Sequence, residues 1–175
     1  AEGGTWKTAN LLGSNGTVSI PLTDAGAADA INIGGLAIFP RNNDPNQSII
    51  FAATGEGQAR YGWGSTNDPN AVGSTVRGVG FLRSTDGGAT WTLLDSTDNT
   101  LPFVAAPGAV QRDHLFARNN GTTAMKVVVD PTATPTGDVI VYAALSGPNG
   151  GLWRSLDTGQ TWQLMRAGQA TDVVL

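Results

Sequence analysis

Ser84-Thr85-Asp86-Gly87-Gly88-Ala89-Thr90-Trp91 and Ser155-Leu156-Asp157-Thr158-Gly159-Gln160-Thr161-Trp162 spell one pattern, Ser-x-Asp-x-Gly-x-Thr-Trp, twice in a chain of 175 residues. Each copy follows an arginine, Arg83 or Arg154, and precedes apolar residues. These residue types specify a tight turn between strands. Ser and Asp side chains accept hydrogen bonds from backbone N–H groups one to three residues on. Gly88 and Gly159 supply a left-handed backbone without a Cβ penalty. Thr90 and Thr161 restart an extended run, and Trp91 and Trp162 are large apolar anchors for a neighbouring layer. The pattern therefore predicts two self-capped β-hairpins. Asp86 and Asp157 also admit a reading as metal ligands or catalytic acids, but capping already accounts for both.

The repeat is longer than the turn. Leu36-Ala37-Ile38-Phe39-Pro40 overlays Val127-Val128-Val129-Asp130-Pro131 with a shift of 91, and the same shift lays Ile49–Ala53 on Ile140–Ala144. Between Trp91 and Trp162 the shift is 71, so the first copy is longer by 20 residues, all between its second and third strands. Each copy reads as four short strands, 36–39, 49–54, 79–84 and 90–95, then 125–130, 139–145, 151–155 and 161–166. Four-stranded units repeated around an axis are propeller blades. The expected fold is all-β: a β-propeller of four-stranded antiparallel blades, with two complete blades and partial flanks.

The boundaries that follow are 1–35 for the end of a preceding blade and its connection, 36–124 and 125–166 for the complete blades, and 167–175 for the start of another. Gly3, Thr5 and Trp6 match the tail of a third turn, with Ala1 where its Asp belongs. Thr171-Asp172-Val173-Val174-Leu175 reads as the first strand of a following blade. Propellers take about 4–8 blades, so the expectation is a part of a longer chain. Assembly of short chains into a ring is the alternative.

The doubled motif resembles the Asp-box (BNR) repeat of sialidases, xyloglucan-degrading glycosidases, sortilin-type receptors and photosystem assembly factors. The resemblance rests on Ser84, Asp86, Gly88, Thr90 and Trp91 and on Ser155, Asp157, Gly159, Thr161 and Trp162. It implies a propeller whose boxes lie away from the working face. It implies no single activity, because those families share the box and little chemistry. The aliphatic-Asp-Pro first strand and the Arg-Ser-x-Asp lead into the box are closest to the xyloglucanase-like members, yet no catalytic residue carries across.

Composition agrees with a turn-rich β protein: 40% hydrophobic residues, 24 Gly and 9 Pro. The net charge of −4 is spread without runs, and basic residues are isolated from stacking aromatics, which argues against a nucleic-acid face. No apolar stretch approaches the roughly 20 residues of a membrane-spanning helix. Cysteine is absent, removing disulfides and thiolate metal sites. Scarce Lys and Glu with abundant Thr, Asn, Ser and Gly resemble extracellular bacterial β-repeat proteins, so a secreted or cell-surface location is expected. The sequons at Asn15, Asn46 and Asn120 are read as chance matches in a chain rich in Asn, Ser and Thr.

Strand parity points to a working face. In such a blade the connections between strands 1–2 and 3–4 emerge on one side, and the others emerge opposite. The boxes lie in 3–4 connections. The long segments Leu12–Gly35, Gly55–Gly78 and Ser96–Ala124 fall on the other side, where long loops on a rigid scaffold carry binding. In the 55–78 segment Tyr61 and Trp63 can stack on sugar rings while Arg60 and Asn67 take hydroxyls; the plainer reading packs the aromatics into a loop core. Glu56, Asp68 and Asp113 are the candidate acids, with Asp24, Asp29 and Asp98 the other carboxylates of that face. A hydrolase needs two facing carboxylates, and no spacing here identifies a pair. A sialidase needs an arginine cluster and a tyrosine; Arg60, Arg77, Arg112, Arg118 and Tyr61 lack the sequence context for it.

Asp113-His114 is read as an extended stretch with adjacent side chains pointing apart, not as a proton-transfer pair. No cofactor is expected. Asn42–Asn46 and Asn67–Asn70 are oxygen-rich enough for calcium, but turn formation explains them and no metal site is assigned. The functional expectation is a binding module for glycan, adhesion or protein interaction, its partner a polysaccharide or another protein chain. The alternative is part of a secreted glycoside hydrolase working through paired carboxylates.

Overall fold

The computed structural model describes residues 6–8, 19–21, 33–55, 78–95, 97–98, 114–117, 122–147 and 149–175. Runs of β-branched and aromatic residues between turn formers become strands, as their side chains require. β1 (Trp6–Thr8) and β2 (Ser19–Pro21) form a small antiparallel pair. β3 (Ile33–Phe39), β4 (Ile49–Thr54), β5 (Phe81–Ser84) and β6 (Thr92–Leu93) form an antiparallel sheet in that order. β8 (Thr123–Ala133), β9 (Val139–Ser146), β10 (Gly151–Ser155) and β11 (Thr161–Ala167) form a second antiparallel sheet. β7 (Thr97–Asp98) adds to it as a parallel edge strand beside β11. Among the described residues, helix is confined to α1 (His114–Ala117) and a 3-10 turn at Pro45–Gln47. None of it is long and apolar enough to cross a membrane.

The chain is thus all-β, built on two four-stranded antiparallel units, and both repeat copies close in one register. Ile38 pairs with Ile50 and Val129 with Val141; Phe51 pairs with Arg83 and Tyr142 with Arg154; Arg83 pairs with Thr92 and Arg154 with Gln163. Each second-sheet pair is the first-sheet pair moved by 91 residues in the first two strands and 71 in the last two. The 20 additional residues between β4 and β5 leave that pairing untouched.

The sheets face one another across a single apolar layer. Phe39, Phe51, Ala53 and Phe81 of the first meet Val127, Val141, Trp153 and Trp162 of the second. Strand alternation sends Leu36 and Ile38 to the other side, 46% and 52% exposed. A Cβ on Gly34 would come within 2.0 Å of the Ala124 carbonyl oxygen, so glycine is what lets β3 run against β8.

Several expectations need correction. The strand expected over 90–95 is only Thr92–Leu93. Thr171–Leu175 is not a strand. Instead Gln169 holds the tail: its Oε1 accepts from Ser146 Oγ at 2.6 Å and Gly147 N at 2.9 Å, and Ala170 N donates to Leu145 O. His114 opens a helical turn rather than an extended stretch, because Leu115 and Phe116 must reach the core, where both are buried. Asp98 lies on β7 beside Trp162, at the turn end of β11, and so leaves the set of carboxylates on the opposite side.

Candidate functional site

The two eight-residue turns are superposable in their bonding. Ser84 Oγ donates to Asp86 Oδ1 at 2.7 Å and accepts from Gly88 N at 2.8 Å; Ser155 Oγ does the same to Asp157 Oδ1 at 2.8 Å and from Gly159 N at 2.8 Å. Asp86 Oδ1 accepts from Thr90 N and Oδ2 from Thr90 Oγ1, and Asp157 takes the same two bonds from Thr161. Each Trp indole N–H then closes on the Gly carbonyl, Trp91 on Gly88 at 3.2 Å and Trp162 on Gly159 at 3.1 Å. The main capping bonds therefore reach four residues on, further than the one to three expected. Gly88 and Gly159 do have positive φ, 91° and 84°, but so do Gly87 and Thr158, at 66° and 58°.

Thr158 was not legible as a left-handed residue. Its hydroxyl explains the choice: it accepts from Val139 N at 3.0 Å and donates to Asp138 Oδ1 at 3.2 Å. These bonds also tie the turn to the connection between β8 and β9.

Each turn carboxylate accepts hydrogen bonds on both oxygens from within its own turn. Hydrogen bonds from the Thr90 hydroxyl and backbone, and from Ser84, pull Asp86 down to about 2. Burial pushes Asp157 up, but bonds from Thr161, Ser155 and Gln160 together hold it below the ordinary carboxylate range. Asp44 behaves alike: Asn46 N and Gln47 Nε2 bond its two oxygens and lower it, capping the 3-10 turn at Pro45–Gln47.

The second turn also docks on the first sheet. Arg83 Nη1 donates to the Thr158 carbonyl at 2.9 Å, and with the Gln160 amide oriented to satisfy both groups its oxygen lies 2.6 Å from Nη1. Burial lowers Arg83 while Asp157 opposes that. Trp162 stacks on Phe81, and Gly159 packs so closely that an added Cβ would lie 3.0 Å from both Phe51 and Leu94. Trp91 is only half-buried, against complete burial of Trp162.

The opposite ends of the strands gather the long connections. Thr54, buried at the end of β4, accepts from Val79 N and Gly80 N and donates to Gly80 O at 2.6 Å. Gly78 N bonds Thr122 O at 3.2 Å, and Gly55 packs on Gly78 and Thr123. The departure and return of the 55–78 segment thus stand beside the entry to β8. Asn149 anchors α1 at the same rim by donating to Leu115 O at 2.6 Å, and Phe116 meets Phe81 edge-on at 5.2 Å. Leu115 and Phe116 were missed as core because a four-residue helix leaves no periodic trace.

No family model and no curated protein matches the chain. Among solved structures it is similar to a protein of unknown function from Dyadobacter fermentans, at 14% identity and a TM-score of 0.21. That likeness covers 87% of this chain and 56% of the other, and it is too slight to carry an argument. The candidates Glu56, Arg60, Tyr61, Trp63, Asn67, Asp68 and Asp113 lie outside the described residues. The turn residues are brought together, and their arrangement is structural.

Proposed function

We propose that the chain is an Asp-box β-propeller module that binds a glycan or a protein partner outside the cell, through the rim opposite its turns. The observation that carries this reading is the division of the two rims. On one, Ser, Asp and Thr side chains spend their hydrogen bonds inside the turns. On the other, Gly55, Gly78 and Thr122 set the roots of the long segments side by side. Ligand sites favour loops raised on a rigid scaffold. The extracellular location is supported by a composition poor in Lys and Glu and rich in Thr, Asn, Ser and Gly, which resembles that of extracellular bacterial β-repeat proteins. In the hydrolase alternative, Glu56, Asp68 and Asp113 supply the carboxylates.

Affinity electrophoresis against soluble polysaccharides tests the reading. The chain is expected to be retarded by at least one polysaccharide, and Trp63→Ala or Tyr61→Ala to lose the retardation with an unchanged melting temperature. Retardation unaffected by either substitution would remove the glycan role of this segment.

A further inference from the structure

The contact between the two sheets is head-to-tail. The first sheet offers four groups to the 155–162 turn: Phe51 and Leu94 under Gly159, Phe81 under Trp162, and Arg83 on the Thr158 carbonyl. The repeat shifts of 91 and 71 carry these positions to Tyr142, Met165, Leu152 and Arg154. Strand alternation puts Tyr142, Leu152 and Arg154 on the side of the second sheet facing away from the first, and Met165 is the extra residue of a bulge opposite Leu152, which pairs with Arg166. A contact in which one surface meets a different surface leaves its own pattern open at the far end.

These four groups behave as an unfilled counterpart. Phe51 and Phe81 are fully buried and Leu94 nearly so, whereas Tyr142 and Leu152 are half-buried and Met165 is 46% exposed. An open groove of about 660 Å³ lies between Leu152 and the 166–174 stretch of the chain. The decisive group is Arg154. Its Nε is buried without a hydrogen-bond partner, and its Nη2 makes only a long 3.3 Å bond to Gln163. A carbonyl presented as Thr158 presents its own to Arg83 Nη1 would give the Nη end of Arg154 a shorter partner than Gln163 and fix a guanidinium whose Nε donor is otherwise unmade.

We infer that the outward face of the second sheet is a docking surface for a further sheet bearing a Ser-x-Asp-x-Gly-x-Thr-Trp turn, with Tyr142, Leu152, Met165 and Arg154 as its receptor. The turn carbonyl after the Asp takes the Arg154 guanidinium, the turn glycine seats on Tyr142 and Met165, and the tryptophan lies on Leu152. The inference rests on the repeat half of the proposed reading. Its test uses no glycan, so its failure and the failure of the binding assay are read separately.

The test is an extended chain in which residues 130–175 are repeated after Leu175, since Val173-Val174-Leu175 stands as Val127-Val128-Val129 stands before Asp130. Both forms are treated with dilute hydrogen peroxide and sulfoxide is followed by peptide mass spectrometry. Met165 is expected to oxidise about tenfold more slowly in the extended chain, while its appended counterpart oxidises at the rate of Met165 in the shorter one. Arg154→Leu is expected to remove most of that protection and to leave the shorter chain unchanged. Equal rates at both methionines would overturn the inference, as would an appended unit that adds no β signal in circular dichroism. Protection that survives Arg154→Leu would overturn the part assigned to the guanidinium.

Discussion

Phe81 and Trp162 stack across the layer between the sheets, ring centroids 4.7 Å apart and planes 17° apart. The indole belongs to the second repeat copy and the phenyl to the first, so this pair couples residues distant in sequence. Trp162→Ala opens a cavity between sheets and is expected to cost about 3–5 kcal/mol. Trp91, half-buried, is expected to cost about half as much or less, because less apolar area returns to water. Urea unfolding of the two variants checks the ordering; equal midpoints would contradict it.

Acid should act through Asp86. Its folded pKa of about 2 lies below the ordinary 3.8. A depressed carboxylate contributes stability that is fully present above the unfolded value and lost as pH falls through the folded one. The gap in urea midpoint between the native chain and Asp86→Asn is therefore expected to be constant from pH 7 to about 5 and to close between about pH 4 and 2. A gap that stays open at pH 2 would mean that the charge is irrelevant to the turn.

Two glycines separate backbone strain from crowding. Gly137 and Gly159 share a positive φ, 86° and 84°, but an added Cβ meets nothing within 4 Å at Gly137. Gly137→Ala is expected to cost about 1–2 kcal/mol, the left-handed penalty alone. Gly159→Ala adds the 3.0 Å contacts with Phe51 and Leu94 and is expected to cost at least a further ~1 kcal/mol. Melting temperatures of the pair give the difference directly.

Thr158 combines a φ of 58° with two hydroxyl bonds. Thr158→Val keeps the shape and removes both, leaving Val139 N unsatisfied, at an expected cost of about 1–3 kcal/mol. Thr158→Gly relieves the backbone and is expected to be milder. Should the valine variant unfold at the native midpoint, the hydroxyl is not what holds the turn.

Most of the scaffold was legible in the residues. Ile49–Thr54 and Gly151–Ser155 became strands with the expected bounds, because β-branched and aromatic runs framed by turn residues leave little choice. The Ser-Asp-Gly-Thr spacing announced the turns for the same local reason. What escaped was set by contacts between distant residues: Thr158 in a left-handed conformation, the buried helical turn at Leu115 and Phe116, and β7 beside β11. The candidate ligand residues around Trp63 were nominated by chemistry alone, and no local pattern fixes where such a segment points.

The pairing of Phe51 with Arg83, matched by Tyr142 with Arg154, holds whether the intervening connection is the long one or the short one. Lengthening a connection costs the chain only loop-closure entropy, about 0.6 kcal/mol for each doubling. The junction between β4 and β5 is consequently a graft point, where foreign sequence can be spliced in and selected for new recognition while the sheets beneath it go on folding.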